Sequence, residues 1–180
     1  AQDRDVDGHT VPMAASGPGA GRWASFAAPL GFRVSTLDGP AGQASLVKLL
    51  RSVYMKGRDA LILEMMVAAR RHGVEETIVA SIGGPAEQVP FPELVTRVLG
   101  SLALYAERRA VELEAAADLV AATGLEPLVA RAGAARLRWL ADLGVGEIFA
   151  VDRPKDAAAV LAAIQRLDGR GLEDRPGGAR

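Results

Sequence analysis

A single helical pattern runs over residues 44–72 and sets the first limit on how this chain can fold. Apolar residues recur along it at helical spacing, only Gly57 interrupts it, and Gly73 follows as a natural C-cap. Residues 60–69 are apolar on nearly every face, and a helix of that kind is normally buried between other helices. The chain is therefore expected to fold mainly as packed helices.

Composition points the same way. Alanine occupies 34 of the 180 positions, whereas aromatic side chains make up only 4% of the chain. Because alanine is the best helix former and fills sandwich cores poorly, this balance favours close-packed helices. Periodicity and the glycines that interrupt it predict further helices at 75–81, 91–104, 107–123, 126–143 and 154–167.

The region before the long helix has a different sequence pattern. Residues 11–15 form a short apolar strand candidate, residues 22–30 an amphipathic helix, and residues 32–37 a second strand candidate. A strand–helix–strand unit of this size is too small to close a sheet of its own. We therefore predict three regions: a partial strand–helix–strand unit at 1–42, a helical domain at 43–167, and a disordered tail at 168–180.

Charge and residue types exclude several classes of function. Lys+Arg 21 against Asp+Glu 22 leaves no basic excess for a nucleic-acid partner. The absence of cysteine removes disulfides, thiolate nucleophiles and cysteine-ligated metals, and two isolated histidines make no metal site. No apolar run is long enough to span a membrane, and the opening residues lack the features of a signal peptide. A soluble, cytoplasmic protein is expected.

The glycine cluster at 17–21 invites comparison with a dinucleotide cradle. The fingerprint G-x-G-x-x-G would place its third glycine at Arg22, and no acidic residue is expected at a strand end about twenty residues later. A glycine-rich turn between a strand and a helix is the simpler interpretation.

Chemistry concentrates in the first half of the long helix. At about 100° per residue, Ser52, Lys56 and Asp59 lie within about 80° of Lys48, so one stripe carries two amines, a hydroxyl and a carboxylate. Apolar neighbours and a second ammonium favour the neutral amine, which suits a general acid or base. From spacing alone, a lysine that extends its amine into solvent from a half-exposed face is the simpler interpretation.

The order of motifs resembles a known superfamily. An apolar strand, S-G-P, a helix, a G-F-x-V strand and G-x-x-G-x-A-S-x-x-K precede the long apolar helix, as in the β-hydroxyacid dehydrogenases, which include the 6-phosphogluconate and 3-hydroxyisobutyrate enzymes. The chain is more similar to the NAD-binding, phosphogluconate dehydrogenase-like proteins that have an uncharacterised C-terminal helical domain. The resemblance covers roughly residues 10–143, and its helical half is the more specific part. It implies that residues 1–42 are the end of a nucleotide-binding domain, a remnant strand–helix–strand of a Rossmann fold, and that residues 43–167 are the C-terminal helical domain. It extends to Glu64, to 68–71, to 107–113 and to 124–127.

The resemblance implies a role for each polar residue of the stripe. Lys48 matches the lysine that handles the hydroxyl proton while a hydride passes to NAD or NADP. Ser45 and Ser52 would orient a small substrate, and Lys56 would favour an anionic group on it. The family's usual asparagine is replaced by Ser52 and its phosphogluconate-binding carboxylate by Met55, which argues against phosphogluconate as the substrate.

Two features of the family are missing. The lysine–aspartate pair of the hydroxyisobutyrate enzymes falls near Glu112 and Leu113, and the nucleotide-binding half with its G-x-G-x-x-G is absent. We therefore expect a fragment or truncated product that alone binds no NAD(P) and has no activity of its own.

Two functional hypotheses follow. The first is the substrate-binding and dimerisation region of an NAD(P)-dependent dehydrogenase that acts on a small hydroxy acid or a related carbonyl or imine compound. The second is a non-catalytic α-helical dimerisation or ligand-binding module. In both, the apolar stretch 60–69 predicts a homodimer, because so short a chain has few helices of its own to cover it.

Overall fold

The structure, a computed structural model, describes residues 12–83 and 89–169. It is mostly helical, with a small parallel sheet near its beginning, as the sequence predicts. The elements are β1 (Met13–Ser16), α1 (Ala20–Ala27), a 3-10 turn (Ala28–Leu30), β2 (Val34–Leu37), α2 (Gln43–His72), α3 (Glu75–Ile82), α4 (Phe91–Ala122), α5 (Leu128–Asp142), α6 (Val145–Ile148) and α7 (Ala157–Leu167).

The predicted elements differ from the observed ones mainly at their ends. The predicted helices 91–104 and 107–123 are one helix, α4, which kinks at Tyr105, where φ is -132° and ψ is 21°. The short helix α6 was not predicted. The predicted irregular opening and nearly all of the predicted tail 168–180 lie outside the described residues.

By compactness the chain divides into two units between Asp59 and Ala60, within α2. The sequence prediction of a domain boundary at residue 42 rests on the change in hydrophobic periodicity there, and it stays a prediction.

In the first unit, two parallel strands hold the start of α2. β1 pairs with β2 in a register that runs from Met13 opposite Val34 to Ser16 opposite Leu37. The backbone N–H of Ala44 donates to Ser16 Oγ at 3.0 Å, so the end of β1 caps the first turn of α2. Gly17 is needed beside this contact, because its φ is +100° and a Cβ there would lie 3.0 Å from the Cα of Ala41.

The core of the second unit explains the abundance of alanine. Ala103, Ala106, Ala110 and Ala117 are buried at helical spacing along one face of α4, and α5 contributes further small residues to the same interface. A Cβ added at Gly133 of α5 would lie only 2.9 Å from Leu113 Cδ2. Small side chains therefore let the two backbones approach closely, which is the close helix packing that the composition predicts.

The long helix α2 is less buried than its sequence predicts. It ends as expected, with Gly73 at φ +69° and the N–H of Val74 donating to the carbonyl of Ala69 at 3.0 Å. Within residues 60–69, however, only Glu64, Ala68 and Ala69 are buried. Leu61, Ile62 and Leu63 remain exposed in the described part of the single chain, so the cover that the sequence predicts for this stretch is not supplied there.

Candidate functional site

The carboxyl ends of β1 and β2 meet at a cavity of about 500 Å³. Its walls are the glycine-rich turn that follows β1, around Gly17 and Pro18, and the turn that follows β2, from Asp38 to Pro40. Ligands of open parallel α/β sheets bind at this end of the strands. The capping contact from Ser16 brings the start of α2 to the same edge.

The predicted stripe lies on a continuous helix, as the prediction requires. With Lys48 as reference, helix geometry places Ser45, Ser52 and Lys56 within an arc of about 80° and within about 17 Å along the axis. Ser52 is half-buried, and the other three are exposed. Asp59, at the same azimuth, forms an ion pair with Arg58 at 3.5 Å.

No contact inside the stripe holds its members together. In the part of the chain that the structure describes, none of Ser45, Lys48, Ser52 and Lys56 has a side-chain hydrogen bond or ion pair. Lys48 is also not among the residues lining the cavity at the strand ends. The helix α2 therefore aligns these groups along one side. The groups that would contact them and shield them from water must come from a bound substrate or another polypeptide.

The glycine-rich turn does not fit a dinucleotide. The fingerprint needs its glycines to leave room for a pyrophosphate, but the space beside Gly17 is filled by the backbone of Ala41. Its third position, Arg22, is an exposed residue of α1. One expectation needs correction: β2 ends at Leu37, so Asp38 follows a strand end directly, 21 residues after Gly17. That acidic residue alone does not make the cradle.

Glu64 is a residue whose role sequence reasoning missed. It is 9% exposed and its two carboxylate oxygens each accept a 2.8 Å hydrogen bond, one from the N–H of Val129 and one from the N–H of Ala130. These are the second and third residues of α5, which begins after Pro127 without a side-chain cap of its own. A carboxylate inside an apolar stretch was the signal that it has a partner.

Other kinds of site find no support among the described residues. No group of three or more His, Cys, Asp or Glu side chains there could hold a metal ion. None of the helices in 12–83 and 89–169 combines the length and apolar character that crossing a bilayer requires.

Comparison with known proteins finds a family match within the helical region of the chain. Residues 69–140 match the model of a family described as a domain of unknown function, DUF1932. A solved structure of a conserved hypothetical protein from Sinorhizobium meliloti 1021 is 24% identical, with a TM-score of 0.41. The alignment covers 88% of this chain, which spans about half (52%) of that protein. Among curated proteins, none matches this chain significantly.

The matched region has a definite place in the fold. It runs from the last turn of α2 through α3 and α4 to nearly the end of α5. Lys48 and the rest of the stripe lie before it. The family match thus lies entirely in the helical region and leaves the chemistry of the stripe to be argued from geometry.

Proposed function

We propose that this chain is the substrate-binding and dimerisation region of a cytoplasmic, NAD(P)-dependent dehydrogenase that acts on a small hydroxy acid or a related carbonyl or imine compound. In this proposal Lys48 is the general acid–base, Ser45 and Ser52 orient the substrate, and Lys56 attracts an anionic group on it. The observation that carries the proposal is the stripe itself, on a helix whose start is tied to the carboxyl ends of two parallel strands.

The position of Lys48 supports its role. It lies four residues after Ala44, whose N–H bonds to Ser16 at the end of β1, and therefore about 6 Å further along the helix axis. The amine is carried by a long, flexible side chain, so it can reach past the first turn of α2 toward a ligand at the strand ends. Ser52, one turn later and half-buried, is close enough to share that ligand.

Proton transfer by lysine requires that the amine be shielded from water for part of the cycle. Desolvation favours the neutral amine, which accepts a proton from a substrate hydroxyl, and the ammonium returns it in the reverse direction. Lys48 is exposed in this chain. The proposal therefore requires that substrate, a nucleotide-binding half or a second copy of the chain cover it.

The nicotinamide would accept the hydride in such an enzyme, and residues other than the 17–22 turn must bind it. The space beside Gly17 is filled by Ala41, and Arg22 stands where the third glycine is needed. The two-stranded sheet supports a larger assembly, because parallel sheets occur almost only with both faces covered and with more strands. We propose that β1 or β2 pairs with a strand of that nucleotide-binding half.

Dimerisation is the second part of the proposal. Leu46, Leu50 and Val53 are exposed, and helix geometry places them within about 40° of the point opposite Lys48. An apolar face of this kind, rimmed by polar residues, marks an interaction surface. We propose a second copy of the chain as its partner, since most soluble oligomers are symmetric homo-oligomers.

Steady-state kinetics of a protein that joins this chain to a nucleotide-binding half tests the role of Lys48, with small hydroxy acids and cyclic imines as substrates. Lys48→Ala should lower kcat by about 10²–10⁴-fold, because that is the usual contribution of a general acid–base. Lys48→Arg should not restore activity, since guanidinium stays protonated. Lys155→Ala, a change of an exposed lysine outside the stripe, should leave kcat unchanged.

The alternative function is a non-catalytic helical dimerisation or ligand-binding module, and the exposure of Lys48 is the observation that favours it. The same experiment separates the two. Turnover that survives Lys48→Ala but is abolished by Lys56→Ala would show that the roles on the stripe are wrongly assigned. A dimeric protein that turns over none of these substrates, even with the nucleotide-binding half present, would favour the module.

A further inference from the structure

A groove between the end of α6 and one flank of α7 is not used by the proposed function. Its volume is about 640 Å³, larger than the cavity of about 500 Å³ at the strand ends. The described residues that line it are Phe149, Ala159, Ala162, Gln165, Arg166 and Gly169. None of them belongs to the Lys48 stripe or to the matched region 69–140, so a ligand of this groove does not depend on the proposed function.

Apolar side chains form most of the groove. Ala159 and Ala162 are three residues apart on α7, so they lie on one side of the helix, where their small side chains leave room above the backbone. Phe149 directly follows α6, is half-buried and packs against the buried core cluster that includes Val145. The core therefore holds the ring of Phe149 in place, and the ring gives the groove a fixed apolar wall.

The polar groups lie at one end of the groove. Arg166 comes seven residues after Ala159, which places it about 10 Å further along the axis of α7 and about 20° around it. In the part of the chain that the structure describes, the Arg166 side chain has no hydrogen bond or ion pair, and no described residue of the lining is acidic. Gln165 adds amide N–H donors beside it. A guanidinium with free donors matches the two oxygens of a carboxylate.

The two ends of α7 differ in charge, which sets the direction of a bound anion. At the start of the helix, the carboxylate of Asp156 accepts the N–H of Ala159 at 2.8 Å. At the other end, the full positive charge of Arg166 outweighs the partial negative charge, about half a unit, that the helix dipole places there. A carboxylate is therefore favoured at the Arg166 end, with an apolar body beside Ala159.

We propose that this groove binds a small carboxylate with an apolar body. Arg166 and Gln165 hold the carboxylate, and the body lies along Ala159 and Ala162 against the ring of Phe149. A mostly apolar cavity with a few convergent polar groups is typical of ligand sites, and the volume is within their range of about 300–1,000 Å³. A body that fills the length of the groove is an aliphatic chain of medium length or an aromatic ring on a short arm.

Titration calorimetry of the full chain at constant ionic strength tests this site, with octanoate and hydrocinnamate as the probes. We expect saturable binding of at least one of the two. Acetate has the charge without the apolar body, and octylammonium has the body with the opposite charge. Each should bind at least about 10-fold more weakly, because the first buries little apolar surface and the second meets a like charge at Arg166.

Two variants remove the two halves of the site. Arg166→Gln should weaken binding by at least about 10-fold, since it removes a charge-assisted hydrogen bond. Ala162→Tyr fills the groove from an exposed position and should abolish binding. The matched control is Arg22→Gln, because Arg22 is also an exposed helical arginine without a side-chain partner in the described chain, and its loss should leave the affinity unchanged.

Each outcome decides the matter. Binding of octanoate alone identifies an aliphatic ligand, binding of hydrocinnamate alone an aromatic one, and binding of both an apolar carboxylate of either kind. The proposal is wrong if neither probe saturates, if acetate or octylammonium binds as tightly, or if Arg22→Gln weakens binding as much as Arg166→Gln. Binding that neither site variant changes would place the probes elsewhere, and a loss confined to Ala162→Tyr would contradict the role of Arg166. If circular dichroism shows that one site variant is unfolded, the other decides alone.

Discussion

The two halves of α2 share one helix but are stabilised in different ways. In the first half, up to Asp59, apolar side chains such as Leu50 and Val53 are exposed, and no side-chain contact joins the members of the stripe in the described chain. In the second half, Glu64 receives two N–H groups of α5, and Ala68 and Ala69 are buried. Helical periodicity continues through both halves, whereas burial within the chain differs between them.

The difference shows what a helical pattern establishes and what it does not. Intrinsic propensity and spacing are enough to form α2, but most of a helix's stability comes from packing of its apolar face. The second half obtains part of that packing within the chain. The first half retains an apolar face for a partner and a polar stripe for chemistry, which is the arrangement on which the proposed function depends.

Glu64→Ala should have the largest effect on stability. It leaves the N–H groups of Val129 and Ala130 without an acceptor at a buried helix start, and each such loss costs about 1–3 kcal/mol. We expect the free energy of unfolding to fall by about 3 kcal/mol, measured by urea denaturation. Glu64→Gln should lose less, because an amide oxygen still accepts one of the two hydrogen bonds.

The control for this variant is Glu112→Ala, which removes an exposed carboxylate from α4 and breaks only a 3.7 Å ion pair with Arg108. Its effect should stay within about 0.5 kcal/mol. If Glu64→Ala is no more destabilising than this control, the second half of α2 is not held by α5, and the contrast between the halves fails.

Val53→Glu should break the proposed dimer and leave the second unit intact. Val53 is 71% exposed in the single chain, so a charge there costs little in the monomer but would be buried in the dimer. We expect the dimer dissociation constant to rise by about 100-fold, measured by sedimentation. Val111→Glu, the same change at an exposed position of α4, should leave it unchanged.

A monomeric parent chain at micromolar concentration would contradict the proposed dimer outright. If Val111→Glu and Val53→Glu raise the dimer dissociation constant equally, the interface lies elsewhere. The exposed face of α2 would then need another partner. If only Val53→Glu raises the dimer dissociation constant, the first half of α2 is stabilised by contacts between chains, in contrast to the second half.

Much of the fold was predictable because its determinants are local. The helices follow from periodicity and glycine ends, and the predicted break after residue 104 coincides with the kink at Tyr105. The stripe follows from helix geometry once α2 is continuous. By contrast, Glu64 accepts hydrogen bonds from residues 65 and 66 positions later in the chain. Such pairings depend on how helices pack, which spacing within one helix does not reveal.

The smallest expected effect concerns the turn after α2, where Arg70 pairs with Glu75 at 2.8 Å. The backbone N–H of Glu75 and then the Arg70 guanidinium hold the pKa of this carboxyl below its usual value of 4.5. At pH values just below 4.5 the unfolded chain therefore binds a proton that the folded chain does not. The free energy of unfolding falls as the pH is lowered through this range, and above it this carboxyl causes no pH dependence. Glu75→Gln should lower the urea midpoint slightly at neutral pH, and the difference from the parent chain should shrink as the pH falls below 4.5 and the carboxyl takes up a proton. Glu76→Gln, an exposed neighbour in the same turn, should show a smaller difference at every pH. A Glu75 difference that persists unchanged in acid would mean that the side chain acts by packing, and that the end of α2 is held by contacts other than this ion pair.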